Sequence, residues 1–152
     1  IIPMCIDAGA DIISFHPETA NNKIFRLLNQ IKDAGRRCGV VLNPATPAEA
    51  IKEYAHLLDK VTVMSVDPGY AGQKFIPESL NKIKQLIAMR EAHGYHYLTE
   101  IDGSCNEKTF NVISQSGVDV FIVGTSGLFS LADNVSDAWD KMVDIYQREI
   151  AA

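Results

Sequence analysis

A chain of 152 residues, 47% hydrophobic and 22% charged, is long and apolar enough to bury a substantial core. Its 14 basic and 19 acidic side chains leave a formal charge of −5 with no run of like sign, which excludes the basic stripe of a nucleic-acid-binding surface. No apolar run approaches the roughly 20 residues that span a membrane, and Cys5, Cys38 and Cys105 are too few and too irregular for a disulfide framework or a cysteine-based zinc site.

The chain opens on Ile1-Ile2-Pro3 in what reads as the middle of a helix, and Ile12–His16 is the first strand-like run. Ile24, Leu27, Leu28 and Ile31 then form one stripe of a helix that stops at Gly35, ahead of a second strand over Gly39–Asn43. Thr46-Pro47-Ala48-Glu49 spells a capping box with proline at the first helical position. Behind it, Ile51, Tyr54, Ala55 and Leu58 predict a buried helical face. A third strand covers Val61–Val66, and Pro77 opens a helix with Leu80, Ile83 and Ile87 inward, ending near Gly94. Tyr97–Asp102 is a fourth strand, after which Asn106 is expected to cap a helix carrying Phe110 and Ile113 and ending at Gly117. Val118–Val123 is the fifth strand. A last helix, from about Val135 to Ile150, is expected to bury Ala138, Trp139, Met142, Ile145 and Tyr146.

Largely apolar strands alternating with helices predict an α/β fold with a parallel sheet, in one domain over residues 1–152. Polar residues choose between an open sheet and a barrel. His16, Asn43, Asp67, Asp102 and Gly124-Thr125-Ser126 all fall at or just past the C-terminal end of a strand. Polar ends on successive strands suit a (β/α)8 barrel, whose site is ringed by the loops after its strands. An open sheet gathers its site at one switch point, and no GxGxxG follows any strand here.

Two glycine-rich turns follow consecutive late strands, Asp102-Gly103-Ser104 and Gly124-Thr125-Ser126-Gly127. Backbone N–H groups in such turns approach an anion closely, and the hydroxyls of Ser104, Thr125 and Ser126 add donors. Two tight turns with glycine for steric reasons would read the same way. A third loop, Asp67-Pro68-Gly69-Tyr70-Ala71-Gly72-Gln73, is longer than a minimal connection and suits a lid. Asp102 at a strand end is placed to ligate a metal or to take a proton from a carbon next to a carbonyl. The bland alternative is an Asp-Gly turn whose carboxylate bonds its own backbone. Met64 either walls the pocket or packs in the core, and Asp67 reads as a turn residue. His16, His56, His93, His96 and Lys74 read as structural or surface residues.

The run Val63-Met64-Ser65-Val66-Asp67-Pro68-Gly69-Tyr70-Ala71-Gly72-Gln73-Lys74-Phe75 closely resembles the sixth-strand signature of the ribulose-phosphate 3-epimerase family. Ile101-Asp102-Gly103 and Val123-Gly124-Thr125-Ser126 resemble its seventh- and eighth-strand motifs. His16-Pro17-Glu18 and Gly39-Val40-Val41-Leu42-Asn43-Pro44 match its fourth and fifth strands in order. The resemblance implies strands four to eight of a (β/α)8 barrel in a cytoplasmic, commonly homo-oligomeric isomerase acting on a sugar phosphate. It implies one divalent metal ion (Zn, Mn, Mg, Co or Fe) and two-aspartate proton transfer through a cis-enediolate. Asp102 looks like one of those aspartates and also a metal ligand. Gly69, Tyr70, Ala71, Gly72, Gly103, Ser104, Gly124, Thr125 and Ser126 would hold the substrate, and Met64 would line the pocket.

Ser104-Cys105-Asn106, Gly124–Phe129 and His16–Thr19 look more like the D-allulose-6-phosphate branch, converting that sugar to D-fructose 6-phosphate, than the ribulose-5-phosphate branch. Two histidines and the partner aspartate of the metal centre match no residue here. About 70 to 80 further residues are therefore expected ahead of Ile1, against the 200 or more typical of the fold. A non-catalytic half-barrel binding module is the alternative from another class.

Overall fold

The computed structural model describes residues 1–20 and 22–151. Five strands, β1 (Ile12–Phe15), β2 (Arg37–Leu42), β3 (Lys60–Met64), β4 (Leu98–Asp102) and β5 (Val120–Ile122), form one sheet in the order β1-β2-β3-β4-β5. Every neighbouring pair is parallel. A parallel sheet whose spatial order follows its sequence order has no switch point. Every crossover advances in one direction, and with right-handed crossovers all connecting helices fall on one face. That is the winding of a barrel wall.

Five α-helices are described: α1 (Ile2–Asp7), α2 (Ile24–Asp33), α3 (Glu78–His93), α4 (Phe110–Ser114) and α5 (Val135–Ala151). The two faces of the sheet differ as strand alternation requires. Ile13, Cys38, Val40, Leu42, Val61, Val63 and Ile101 are buried in the core. On the same face Phe121 meets Phe110 of α4 and Tyr146 of α5 edge-on. The opposite, concave face carries Lys60, Thr62, Met64, Glu100, Asp102 and Ile122. Registers Met64↔Asp102 and Asp102↔Ile122 set the last three side by side. Below them Glu100, 7% exposed, accepts from Lys60 Nζ at 2.8 Å and Thr62 Oγ1 at 2.7 Å, so the buried carboxylate is paired.

The N-terminal ends of the strands are stapled by aspartates. Asp59, just before β3, accepts the Cys38 N–H of β2 at 2.8 Å. Asp119, just before β5, accepts the Thr99 N–H of β4 at 2.7 Å and Arg90 Nη1 at 2.6 Å. Burial alone would raise both carboxyls, but the backbone N–H bonds and the neighbouring Lys32, His96 and Arg90 hold them below the ordinary carboxylate value. A depressed folded pKa contributes stability above the unfolded value, about 3.9, and loses it as pH falls through the folded one. Urea midpoints should therefore hold steady from neutrality down to about pH 5 and drop steeply below pH 4. Asp119→Asn should flatten that acid limb; an unchanged limb would remove Asp119 from the account.

Several sequence expectations need correction: the third strand ends at Met64, not Val66, and the fifth covers Val120–Ile122, not Val118–Val123. Residues 46–58 form no α-helix: short 3-10 turns at Ala48–Ile51 and Ala55–Leu57 take its place. Pro47 sits extended ahead of the first turn instead of inside it, and the Thr46 hydroxyl donates to Glu18, not to a helix amide. The apolar pattern still points inward, because Ile51, Tyr54, Ala55 and Leu58 are all buried. Trp139 is 52% exposed, not buried. It borders an apolar groove of about 300 Å³ with Phe121, Val123 and Met142, beside a β5 that pairs only with β4 among the described residues. Asn106 caps the turn ahead of α4 by accepting the Lys108 N–H at 3.1 Å, while the helix itself starts at Phe110.

Candidate active site

The C-terminal ends of β3, β4 and β5 converge on a cavity of about 470 Å³. Its wall contains Met64 and Asp102 from the strand ends, Gly69, Tyr70, Ala71 and Gly72 from the long loop, and Gly103 and Ser104 beyond β4. Gly124, Thr125 and Ser126 beyond β5 complete it, so Asp102 and every residue expected to hold the substrate or line its pocket border one space. Val66, Asp67, Pro68, Cys105 and Ile122 also line it. Strand alternation could have found Ile122, two residues before Gly124 on the same face as Asp102. Cys105 had no such signal, because its side chain is placed by a turn.

Asp102 ends β4, and its backbone carbonyl accepts from the Ser65 N–H at 2.8 Å. Its carboxylate makes no hydrogen bond within the described residues, which sets it apart from a self-bonded Asp-Gly turn. Burial raises its pKa, the Glu100 charge adds to that, and Lys60 offsets part of it. A half-buried carboxyl free of structural partners is available to exchange a proton. The Cys105 thiol, buried beside it, is pushed up to about 12 and is no nucleophile at neutral pH.

The turn after Asp102 is tightly held. Gly103 has φ of +122°, and a Cβ there would lie 2.8 Å from Val66 Cγ2 and 3.0 Å from Ser65 Oγ. Ser104 follows at φ of +51°, a left-handed conformation that costs an L-residue about 1 kcal/mol. Its hydroxyl donates to the Gln73 carbonyl at 2.5 Å, and its own carbonyl accepts from Thr109 Oγ1 at 2.6 Å. Beyond β5, Thr125–Phe129 winds as a π-helical turn, with Phe129 N–H reaching the Gly124 carbonyl at 3.2 Å. The first amides of such a turn have no partner inside it, and Gly124, Thr125 and Ser126 line the cavity, an arrangement suited to an anion.

The other polar strand ends gather elsewhere. Glu18 accepts from Asn43 Nδ2 at 3.2 Å and from Thr46, with His16 Nδ1 at 3.9 Å. Buried Lys82 ties α3 to the end of β2 through the Asn43 and Pro44 carbonyls. His96 pairs with Asp59 at 3.3 Å and His93 stacks on Tyr95, both away from the cavity. Among the described residues no three His, Cys, Asp or Glu side chains come together to hold a metal ion. Asp102 alone therefore does not make a metal centre, and among the described residues no helix is long and apolar enough to cross a membrane.

Comparison with solved structures places the same architecture in known barrels. 3-Hexulose-6-phosphate synthase from Salmonella typhimurium aligns over 97% of this chain and 67% of its own, with TM-score 0.64 and 20% identity. A mutant tryptophan synthase alpha-subunit from Pyrococcus furiosus aligns over 99% and 60%, with TM-score 0.67 and 13% identity. At such identities the likeness is one of fold: the five strands are consecutive strands of a (β/α)8 barrel.

Sequence relatives are closer. Ribulose-phosphate 3-epimerase of Aquifex aeolicus (strain VF5) is 42% identical over 87% of this chain and 59% of its own length. The Escherichia coli (strain K12) enzyme of that name is 36% identical over 99% and 64%. That of Buchnera aphidicola subsp. Schizaphis graminum is 38% identical over 88% and 58%. The chain thus spans about three-fifths of the length of these relatives. The family description "Ribulose-phosphate 3 epimerase family" matches residues 1–129, which include Asp102 and the glycine turns after β4 and β5, and the chain belongs to that family.

Proposed function

We propose that the protein carrying this chain inverts C3 of a ketose phosphate, with Asp102 as one of the two groups that exchange the C3 proton. The observation that carries the reading is the shared cavity. It sets a carboxylate without structural partners beside an anion-suited turn and a long covering loop. The Gly124–Ser126 turn takes the phosphate, which places the carbonyl end of the sugar toward Asp102. The C3–H bond breaks as the Asp102 carboxylate takes the proton. The electron pair moves into C2–C3, and the C2 carbonyl oxygen becomes an enediolate oxygen. Return of a proton from the opposite face by a second acid gives the epimer. Met64 and Ile122 flank Asp102 with apolar surface, which limits water around the developing charge.

Membership of the family supports a divalent ion, which when bound would stabilise the negative charge that develops as the C3 proton leaves. Among its described residues this chain offers Asp102 toward such an ion and no complete ligand set.

The relatives' names support D-ribulose 5-phosphate as the substrate. A second reading, D-allulose 6-phosphate, rests on the segments Ser104-Cys105-Asn106, Gly124–Phe129 and His16–Thr19. Both sugar phosphates should be assayed side by side in deuterated water. Deuterium is expected at C3 of the turned-over sugar, and a tenfold or greater ratio of kcat/KM assigns the chain length. Failure to exchange C3 in either sugar would sink the epimerase reading.

A further inference from the structure

The loop between β3 and α3 is tied to the Asp102 turn at two levels. At its base, Ser65 N–H donates to the Asp102 carbonyl at 2.8 Å, Ser65 Oγ donates to the Gly103 carbonyl at 2.5 Å, and Ile76 N–H returns to the Ser65 carbonyl at 2.8 Å. Further out, the two amide hydrogens of Gln73 go to the Asp67 and Tyr70 carbonyls, at 2.5 and 2.9 Å, and gather the loop into one unit. Among the described residues, the tie from that unit to the Asp102 turn beyond the base that runs through a side-chain hydroxyl is Ser104 Oγ to the Gln73 carbonyl. Ser104 holds a left-handed backbone, where glycine would sit at no cost. What serine adds there is its hydroxyl. A hydroxyl has one proton to donate, and this one goes to the loop.

We propose that Ser104 is a positioning residue that latches the 67–73 loop against the cavity, and that its hydroxyl serves the loop instead of the substrate phosphate. The inference rests on the proposed ketose-phosphate reading for what the loop covers, while the latch itself is a property of the chain. It reassigns the Ser104 hydroxyl from phosphate donor to loop anchor and leaves the anion to the Gly124–Ser126 turn. The loop and Asp102 then share one support, so the position of the cover over the sugar follows the position of the acid/base group.

Ser104→Gly suits the left-handed backbone, relieves its strain and removes the CH2OH side chain, the hydroxyl with it. Amide hydrogen exchange over residues 67–74 should quicken roughly five- to tenfold, the loss of one hydrogen bond. The thermal midpoint should stay level or rise. A purely structural serine would move both the same way. Gln73→Ala, which leaves Ser104 intact but disperses the loop carbonyls, should quicken the same amides. Inorganic phosphate, followed by its phosphorus resonance, should bind the parent chain and Ser104→Gly within about threefold of each other. Unchanged loop exchange in Ser104→Gly, or a phosphate affinity reduced tenfold or more, would overturn the latch. Absence of phosphate binding by the parent chain would count against the proposed function, and loop exchange would still decide the latch.

Discussion

Asp102→Asn should lower the rate of C3 proton exchange roughly a thousandfold, within the range removed with a general acid–base group. The substitution keeps the size and removes the ability to accept a proton. It should leave the fold intact, because the strand ladder uses the Asp102 backbone and the carboxylate makes no hydrogen bond within the described residues. Neutralising a carboxyl whose pKa burial already raises should hold or slightly improve stability. Proton NMR of the sugar in deuterated water reads the exchange, and circular dichroism checks the fold. Asp67→Asn is the companion experiment: Asp67 also lines the cavity but is exposed at the start of the loop, and this variant should keep most of the rate. A slow Asp67→Asn beside a fast Asp102→Asn would exchange their roles.

Gly127→Ala is the largest expected structural lesion. A Cβ at this position would lie 2.0 Å from the Cys105 carbonyl oxygen and 3.2 Å from its carbonyl carbon. Both are backbone atoms, so no rotamer relieves the overlap. Either the turn after β4 or the π-helical turn after β5 must shift, and both line the cavity. Overpacking of this kind costs about 3 kcal/mol, or roughly 10 °C in thermal midpoint for a chain of this size. Inorganic phosphate binding should be lost with it. Gly124→Ala, three residues earlier, is the contrast: a Cβ there meets nothing within 4 Å, and its φ of −121° is not a left-handed one. It should melt within a few degrees of the parent. Equal melting of the two variants would show that the approach of Gly127 to Cys105 is not a structural constraint.

The alternation of apolar strands and helices was legible because each strand is buried where its side chains must be apolar. Helix identity over 46–58 was not. The buried pattern of Ile51, Tyr54, Ala55 and Leu58 satisfies two short turns as well as a helix, and Thr46 was drawn away by Glu18, 28 residues earlier. Trp139 was misplaced for a related reason. Periodicity says which residues share a helix face, but not whether a neighbour covers that face, and beside β5 the groove stays open.

The same division runs through the active site. Local sequence determined the order of the strands, the glycine turns, the long loop and the place of Asp102 at a strand end, because turn chemistry and strand burial act over a few residues. The tertiary structure alone decided that Met64, Asp102 and Ile122 stand in one row, since that depends on the register between strands up to 58 positions apart. It also decided that Glu100 charges the layer beneath Asp102 and that Ser104 spends its hydroxyl on Gln73. Pairings at long separation are fixed by packing and by the need to satisfy buried polar groups, and neither leaves a local pattern in the chain.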